Sequence, residues 1–296
     1  MVSADQPALD PALDPALVAR AYRAVEPVHN HVYFVPETEQ HLTAIGLRPG
    51  RMVYFAGRAA PMGAVGPGVV TATFANFSPA IVARHVPRAW TLATPEQVVA
   101  ARLAAARASL TRLLGGEEAA AAPEVAELGD LLVEACGVLT VEGRPLYAGH
   151  ADLAWPADPV GRLWHATTLL REWRGDGHVA ALVGRGLSGL EALITHTATG
   201  RGFLPAAARA TRGWSDQEWD AACARLAGRG LLEGETLTDA GRQLRADVEA
   251  DTDALSAAPW TSLGPERTGR VVELGKRLST ALVANGAYPA GVFAGR

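Results

Sequence analysis

Residues 224–242 read Ala-Arg-Leu-Ala-Gly-Arg-Gly-Leu-Leu-Glu-Gly-Glu-Thr-Leu-Thr-Asp-Ala-Gly-Arg, and this stretch decides the fold. An Ala- and Leu-rich helix is expected to end at Gly230, because glycine readily adopts the left-handed conformation that closes a helix. Two short apolar segments on either side of a Glu-Gly-Glu turn then predict a two-stranded ribbon. Asp239 begins a further long helix. Before the stretch, Ser215 and Glu218 have the spacing of a capping box that starts a helix.

This order of helices, a two-stranded wing and a following helix resembles the winged-helix domain of MarR-type regulators. In those proteins the second wing strand leads into a Leu-Thr-x-x-Gly segment, and Leu237 to Gly241 have that pattern here. The resemblance covers the C-terminal part of the chain. It implies a helix-turn-helix fold, and it implies DNA binding through the helix before the wing.

The N-terminal half repeats this pattern in a weaker form. Trp90 and Trp214 each precede a capped helix that reaches an Ala-Arg-Leu triplet, at 101–103 and at 224–226. We therefore expect an internal duplication, although helical sequence rich in Ala, Leu and Arg also matches itself by composition alone. The predicted fold is mainly α, with two winged-helix-like (MarR-like) halves that carry short β-wings. A cleft between two such halves is the usual place for a ligand.

The predicted domain organisation has four parts. Residues 1–15 contain a repeated Ala-Leu-Asp-Pro motif and are expected to form a flexible leader. Residues 16–143 form a degenerate winged-helix-like half, residues 144–159 an irregular crossover, and residues 160–296 the C-terminal winged-helix half. We also expect the Gly-Asp-Gly sequence at 175–177 to break or cap the helix before it, since glycine allows a sharp turn.

Residues 164–178 concentrate histidine, tryptophan, arginine and carboxylate side chains in an apolar part of the sequence. A core helix tolerates so many charges only when they are paired, which is typical of binding and proton-transfer sites. On a helix His165 and Glu172 share a face, and a histidine oriented by a carboxylate is a common general base. The residues predicted to be catalytic are His165, Glu172, Asp176 and His178.

Two other chemistries stay open for this segment. One is metal binding, since His165, Glu172 and His178, together with His29, have donor atoms for a metal ion. Their spacing matches no recognised metal motif, however, so no metal site is predicted. Alternatively, Glu172 and Asp176 pair with arginines such as Arg58 in a buried structural network.

Arg58 is the only charged residue between Met52 and Val70. Its guanidinium therefore needs an anionic partner, either a carboxylate such as Glu172 or an anionic ligand. Asn76 lies between two phenylalanines, where an amide orients a ligand or caps a helix. The residues predicted to bind a ligand are His29, Arg58, Asn76, Trp164, Trp173 and Arg174.

Eight stretches carry a second resemblance to a known family. They are Glu26–His29, Tyr33–Glu37, Gly57–Gly63, Phe74–Pro79, Trp164–His165, Leu170–Glu172, Arg174–His178 and Thr211–Ser215. Over nearly its full length the chain thus resembles an actinobacterial helix-turn-helix family, although Trp173 stands where many relatives have histidine. The resemblance implies the fold and the location of a site, and it implies no particular reaction.

The charge of the chain argues against nucleic-acid binding. The net charge is −4 and the pI is about 6.1, whereas DNA-binding domains are usually basic. The helix before the wing begins Ser-Asp-Gln-Glu-Trp-Asp, and the wing contains Glu233 and Glu235, so carboxylates would face the phosphates. We expect no nucleic-acid partner. The winged helix is then a scaffold or the contact surface of a homodimer.

Other features bound the function without naming it. Two distant cysteines, no secretory signal and no long apolar segment predict a cytoplasmic protein without a membrane partner. No phosphate-binding or dinucleotide-binding loop is present, so the cofactor is unknown. The predicted function is binding of a small aromatic or anionic metabolite between the halves of a non-DNA-binding winged-helix scaffold, with acid–base catalysis in that cleft as an enzyme version. The alternative is a MarR-type ligand-responsive transcriptional regulator.

Overall fold

The computed structural model describes residues 13–200 and 204–289 of the chain, and these residues are mainly helical. One antiparallel ribbon pairs β1 (Leu232–Glu233) with β2 (Thr236–Leu237). No helix among the described residues is both long and apolar enough to cross a membrane. The α-helices in chain order are α1 (Pro15–Asn30), α2 (Pro36–Ala44), α3 (Arg51–Ala59), α4 (Pro67–Phe74), α5 (Pro79–Ala89), α6 (Pro95–Leu114), α7 (Glu117–Ala120), α8 (Pro123–Cys136), α9 (Pro145–Ala151), α10 (Pro159–Gly184), α11 (Gly189–Thr197), α12 (Pro205–Arg212), α13 (Asp216–Gly228), α14 (Asp239–Ala254) and α15 (Ala258–Ala284).

Many helices begin where the sequence supplies a proline or a capping side chain. Thr94 with Gln97 caps α6, and Ser215 with Glu218 caps α13. In each pair the hydroxyl accepts an N–H of the first turn, and the second side chain accepts the N–H of the cap residue. A capping box satisfies N–H groups at a helix start that would otherwise lack a partner. The capping box predicted at Ser215 is therefore confirmed.

The ribbon and the helix after it lie where the sequence predicts them. Leu232 is paired with Leu237 across the ribbon, and both side chains are buried. Thr238 caps α14 by accepting the N–H of Gly241. A Cβ at Gly241 would collide with the carbonyl oxygen of Leu231. The Leu-Thr-x-x-Gly segment thus needs its glycine for a close backbone approach.

The largest hydrophobic core is built mainly from α1, α8, α10 and α15. Trp260 is fully buried and meets Tyr22 edge to face, with ring centroids 5.0 Å apart. A Cβ at Gly275 would lie 3.0 Å from the carbonyl oxygen of Ala24, which also accepts a hydrogen bond from Ser279. α15 therefore lies close against α1. Both predicted halves contribute to this core, and their division stays a prediction.

Smaller cores surround the largest one. A core around Trp219 and Leu226 joins α11, α13, α14 and the ribbon. Two others, around Met52 and Phe55, join the helices from α2 to α6. The region from α11 to α14 and the region from α2 to α6 therefore each have apolar contacts of their own.

The helix break predicted at residues 175–177 is wrong, because α10 continues through them without interruption. The two glycines serve the packing of arginines instead. A Cβ at Gly177 would lie 2.6 Å from Nη1 of Arg144, and one at Gly175 would lie 2.9 Å from Nη1 of Arg171. A glycine inside a helix lowers the stability of the helix, and close packing of a neighbouring side chain is a common reason for its presence.

Three further expectations need correction. The crossover 144–159 is not irregular throughout, because α9 forms within it. Residues 16–143, all of them described, contain no strand, so the N-terminal half lacks the predicted β-wing. In the predicted leader, residues 1–12 lie outside the described residues, and Pro15 is already the first residue of α1.

Candidate functional site

Arg58 on α3 and Glu172 on α10 form a buried ion pair. The guanidinium Nε and Nη2 donate to the two carboxylate oxygens at 3.1 and 2.7 Å, and Glu172 has no exposed surface. Burial raises the pKa of Glu172, but the charge and hydrogen bonds of Arg58 outweigh it and hold this pKa well below its usual range. The guanidinium also lies 4.5 Å from the ring centroid of Phe74. The alternative prediction is therefore confirmed for Glu172 and wrong for Asp176, which forms no ion pair with an arginine among the described residues.

A chain of hydrogen bonds runs past this pair through His29. Thr168 donates to the carbonyl oxygen of Trp164, so its oxygen accepts the Nδ1–H of His29 at 2.9 Å. The Nε2 of His29 then accepts from the hydroxyl of Tyr33 at 3.1 Å, and that hydroxyl accepts from Arg102. Burial lowers the pKa of His29 well below its ordinary value, so the ring is neutral.

A cavity of about 360 Å³, here called the arginine cavity, lies between residues 73–76 and helices α10, α11 and α14. Four of the residues predicted from sequence line it, namely Arg58, Asn76, Arg174 and His178. Two of these belong to the predicted N-terminal half and two to the C-terminal half. The cavity is therefore lined by residues from both predicted halves, and the ligand site between them stays a prediction.

Four arginines line the arginine cavity, and each has a carboxylate partner. The pairs are Arg58 with Glu172, Arg171 with Glu26, Arg174 with Asp253 and Arg245 with Glu249. Arg245 is nonetheless incompletely satisfied. The residue is only 6% exposed, and its buried Nη1 has no hydrogen-bond partner among the described residues. The buried Oδ1 of Asn76 likewise has no partner there.

His178 lines the arginine cavity as a neutral ring. Thr252 donates to the carbonyl oxygen of Val248, so its oxygen accepts the Nδ1–H of His178 at 2.9 Å, and Nε2 carries the lone pair. Burial and, to a smaller extent, the positive charges of Arg245 and Arg174 lower the pKa of His178 to about 3. The field at this ring therefore favours negative charge nearby.

One wall of the arginine cavity is a strained turn. Ala75 has a φ of 52°, and it is the one non-glycine residue with positive φ among the described residues. A Cβ at Gly189 would collide with the carbonyl oxygen of Ala75, so the start of α11 lies directly on this turn. Trp214 donates its indole N–H to the carbonyl oxygen of Asn76 at 2.9 Å. Strained turns held from two sides are frequent at binding sites.

His165 lies in a different place. It lines a smaller cavity of about 200 Å³, here called the histidine cavity, together with Arg102, His150 and Trp164. The ring of His165 meets Trp155 edge to face, with centroids 4.8 Å apart. The structure therefore does not bring His165 to the same cavity as His178, although both lie on α10.

Asp176 and Trp173 occupy other faces of α10. The carboxylate of Asp176 accepts the N–H groups of Leu146 and Tyr147 at 3.0 and 2.9 Å and so caps the first turn of α9. Burial raises the pKa of Asp176 to about 6. Trp173 donates to the carbonyl oxygen of Thr140 and packs in the largest core. Neither side chain orients a histidine.

The residues predicted from sequence do not include Arg102, His150 and Arg245, which are among the polar residues that line the cavities. Arg102 and Arg245 lie far from residues 164–178 in sequence, and His150 lies on the preceding helix α9, so no local spacing joins them to that segment. Gly149, beside His150, was one available signal, since an interior helical glycine often marks a close approach. Among the described residues, no three histidine, cysteine or carboxylate side chains lie close enough together to hold a metal ion.

Comparison with known proteins adds one finding. No curated protein and no solved structure matches the chain. Residues 18–289, which span the β-ribbon and both cavities, match a helix-turn-helix family. This match covers most of the sequence, and the chain therefore belongs to that helix-turn-helix family.

Proposed function

We propose that this protein binds a small anionic metabolite, with an aromatic or otherwise apolar body, in the arginine cavity. The observation that carries the proposal is the unpartnered Nη1 of Arg245, which is buried at a cavity that three further arginines line. A buried charged donor without a partner costs more than the roughly 1–3 kcal/mol of a neutral one. A ligand carboxylate would supply the missing acceptor.

The rest of the cavity suits the other parts of such a ligand. Phe74, Leu182 and Leu193 provide apolar surface for a ring. The amide oxygen of Asn76 has no donor among the residues that the structure describes, and it would accept a hydrogen bond from a ligand hydroxyl or amine. His178 presents its Nε2 lone pair as a further acceptor. Small-molecule sites commonly combine apolar walls with a few polar groups in this way.

An enzyme version assigns roles to the four residues predicted to be catalytic. His178 is the proton acceptor in this version, since it lines the arginine cavity and Thr252 fixes its tautomer. Glu172 positions Arg58, Asp176 holds α9, and His165 belongs to the separate histidine cavity. A pKa of about 3 makes His178 a weak base, so binding without turnover is the version that we favour.

The two-half organisation remains part of the proposal. The location of the arginine cavity between residues 73–76 and α10, α11 and α14 supports two lobes, at 16–143 and 160–296, that share a ligand. The missing wing in the first lobe means that a duplication has diverged there. A homodimer formed through the winged helix and a cytoplasmic location complete the proposal.

Titration calorimetry with isophthalate, an aromatic dianion, tests the binding site. Isophthalamide, its uncharged analogue, is the ligand control. Arg245→Met removes the unpartnered donor, and Arg277→Met, on the exposed face of α15 and 59% exposed, is the matched control. We expect isophthalate to bind the wild type and Arg277→Met, and to bind Arg245→Met at least tenfold more weakly. No binding to the wild type, or equal binding to Arg245→Met, would contradict the proposal.

Membership of a helix-turn-helix family favours a second candidate function, a ligand-responsive DNA-binding regulator of MarR type. Charge argues against it, since Asp216 and Asp220 are exposed on α13, and the exposed wing tip contains Glu233 and Glu235. Fluorescence anisotropy with duplex DNA from the region upstream of its own coding sequence, at low salt, distinguishes the two. Our proposal expects no binding, and tight binding that weakens steeply with salt would support the regulator.

A further inference from the structure

The histidine cavity contains three buried polar atoms without a partner. They are Nη1 of Arg102, Nε2 of His150 and Nε2 of His165, and none of them has a hydrogen-bond partner among the described residues. The three side chains come from α6, α9 and α10, and their residues are 3%, 2% and 4% exposed. Native proteins rarely leave several buried polar atoms unsatisfied at one place, so this cavity needs an occupant.

We propose that the histidine cavity is a second binding site, and that it takes a small monocarboxylate such as a benzoate-sized acid. This site is distinct from the arginine cavity and goes beyond the function proposed above. The charge, the hydrogen-bond donors and the size of the cavity each support this class of ligand.

The charge comes from Arg102. Its Nη2 donates to the hydroxyl of Tyr33 at 3.1 Å, and its guanidinium lies over the rings of Tyr33 and Trp164. No carboxylate among the described residues forms an ion pair with it, in contrast to the four arginines of the other cavity. A buried guanidinium without a counter-ion is strongly unfavourable, and an anion in the cavity would balance it.

The two histidines set the number of negative charges. Burial lowers the pKa of His150 to about 3 and that of His165 to about 4, so both rings are neutral at pH 7. Arg102 is then the single charge at the cavity, and a monoanion balances it. The positive charge of Arg102 also disfavours a metal cation on the two imidazoles.

The donors match a carboxylate. Nη1 of Arg102 is always a donor, and either imidazole donates from Nε2 when it takes that tautomer. A carboxylate has two oxygens that accept up to about four hydrogen bonds, so it can satisfy all three atoms. Charge-assisted hydrogen bonds of this kind are about twice as strong as neutral ones.

The walls and the size select the rest of the ligand. Val99, Leu103, Leu153 and Pro156 give the cavity an apolar lining. An apolar cavity of about 150 Å³ accommodates a benzene ring, and this cavity measures about 200 Å³. Phosphate or sulfate would leave the apolar wall without contacts, whereas an aromatic or branched aliphatic acid fills it.

The fold holds the two imidazoles in place without using their Nε2 atoms. A Cβ at Gly149 would lie 2.7 Å from the carbonyl oxygen of Pro61, so α9 packs directly on the turn at Ala60–Met62 and fixes His150 beside it. Trp155 packs edge to face on His165. The donors are therefore positioned before any ligand arrives, which reduces the entropy cost of binding.

Titration calorimetry of the full chain with benzoate tests the site, with uncharged benzamide as the ligand control. Arg102→Met removes the charge, and Arg112→Met is the matched control on the same helix, where the side chain is 45% exposed. We expect benzoate to bind the wild type and Arg112→Met, to bind the histidine cavity of Arg102→Met at least tenfold more weakly, and benzamide not to bind. A folded wild type that does not bind benzoate, or equal binding to Arg102→Met, would overturn the proposal.

A second measurement needs no substitution, in case Arg102→Met does not fold. Long-range ¹H–¹⁵N spectra of the eight histidines report the ring nitrogens directly. Benzoate should shift the Nε2 signals of His150 and His165 and leave that of His178 in place. A shift at His178 alone would place benzoate in the arginine cavity and overturn the proposal. Arg245→Met should retain benzoate binding, so failure of the function proposed above is distinguishable from failure of this site.

Discussion

Arg58 and Glu172 join α3 to α10 through two hydrogen bonds of 3.1 and 2.7 Å, and the carboxylate is wholly buried. The two residues are 114 positions apart in sequence. Arg58 lines the arginine cavity, while Glu172 lies beside the His29 hydrogen-bond chain. This ion pair therefore ties the predicted N-terminal half to the helix that carries most of the predicted site residues.

Breaking this pair from one side should destabilise the protein strongly. Glu172→Gln leaves the Arg58 guanidinium buried without a counter-ion, and loss of one partner of a buried pair typically costs about 3–5 kcal/mol. Urea unfolding measures this change in the free energy of unfolding. Glu134→Gln, which breaks an exposed pair with Arg267, should change it little. Replacing both partners, by Arg58→Met together with Glu172→Leu, should lower the free energy of unfolding less than Glu172→Gln does. A double variant that is less stable than Arg58→Met alone and less stable than Glu172→Leu alone would contradict this account.

Stability should fall as the pH is lowered from 7 to 5. Burial lowers the pKa values of His31 and His165 to about 4 and those of His150 and His178 to about 3. The unfolded chain takes up these protons near pH 6.5, while the folded chain does not, so protons favour unfolding. The contribution of these buried histidines to the free energy of unfolding is complete above pH 6.5. It is lost as the pH falls toward 4, by at most about 1.4 kcal/mol per pH unit for each histidine.

Asp176 opposes this trend, because its contribution to the free energy of unfolding increases as the pH falls. Its folded pKa of about 6 lies above the unfolded value of about 3.9, so protons between pH 4 and 6 favour the folded state. These four histidines, together with His29, whose pKa burial also lowers, outweigh one carboxylate, and the net free energy of unfolding should still decrease. Urea unfolding at pH 7, 6 and 5 measures the slope, and His178→Gln should reduce it. A free energy of unfolding that is constant or rises toward pH 5 would contradict the burial of neutral histidines.

Gly189→Ala should damage the turn at the arginine cavity. The new methyl group would collide with the carbonyl oxygen of Ala75, which is backbone and cannot rotate away. Overpacking of this kind usually costs about 1–3 kcal/mol, and isophthalate binding should weaken with it. Gly269→Ala on α15 is the control, because no atom lies within 4 Å of its new Cβ. That change should stabilise the protein by up to about 1 kcal/mol. Equal unfolding midpoints for the two variants would contradict the close approach.

Local signals predicted much of the helix order and the wing. The cap at Ser215 and the Leu-Thr-x-x-Gly segment act over a few residues, and the structure has both where the sequence places them. The break at residues 175–177 was predicted by the same local logic and is wrong. There a Cβ at Gly177 would lie 2.6 Å from Nη1 of Arg144, and this side chain approaches from a different part of the chain, so no local pattern reveals the contact.

The site was predictable only in part, for the same reason. The lone charge of Arg58 in an apolar run required a buried anion, and Glu172 was a candidate within a recognisable polar segment. Arg245 and Arg102 carry no such signal, since each lies in an Ala- and Leu-containing helix with ordinary spacing. Arg245 and Arg102 are candidates for ligand binding because each has a buried guanidinium nitrogen without a partner among the described residues. The packing of helices that are distant in sequence buries these nitrogens.

The central claim is that the arginine cavity holds an anionic small molecule, and native mass spectrometry of protein purified from its own host tests it most directly. The wild type should retain a small organic acid in this cavity, in addition to any monocarboxylate that the histidine cavity holds. Arg245→Met should lose this adduct, and Arg277→Met should keep it. A wild type that carries no small molecule and also fails to bind isophthalate, or a set of adducts that is identical in the wild type and in Arg245→Met, would contradict the account.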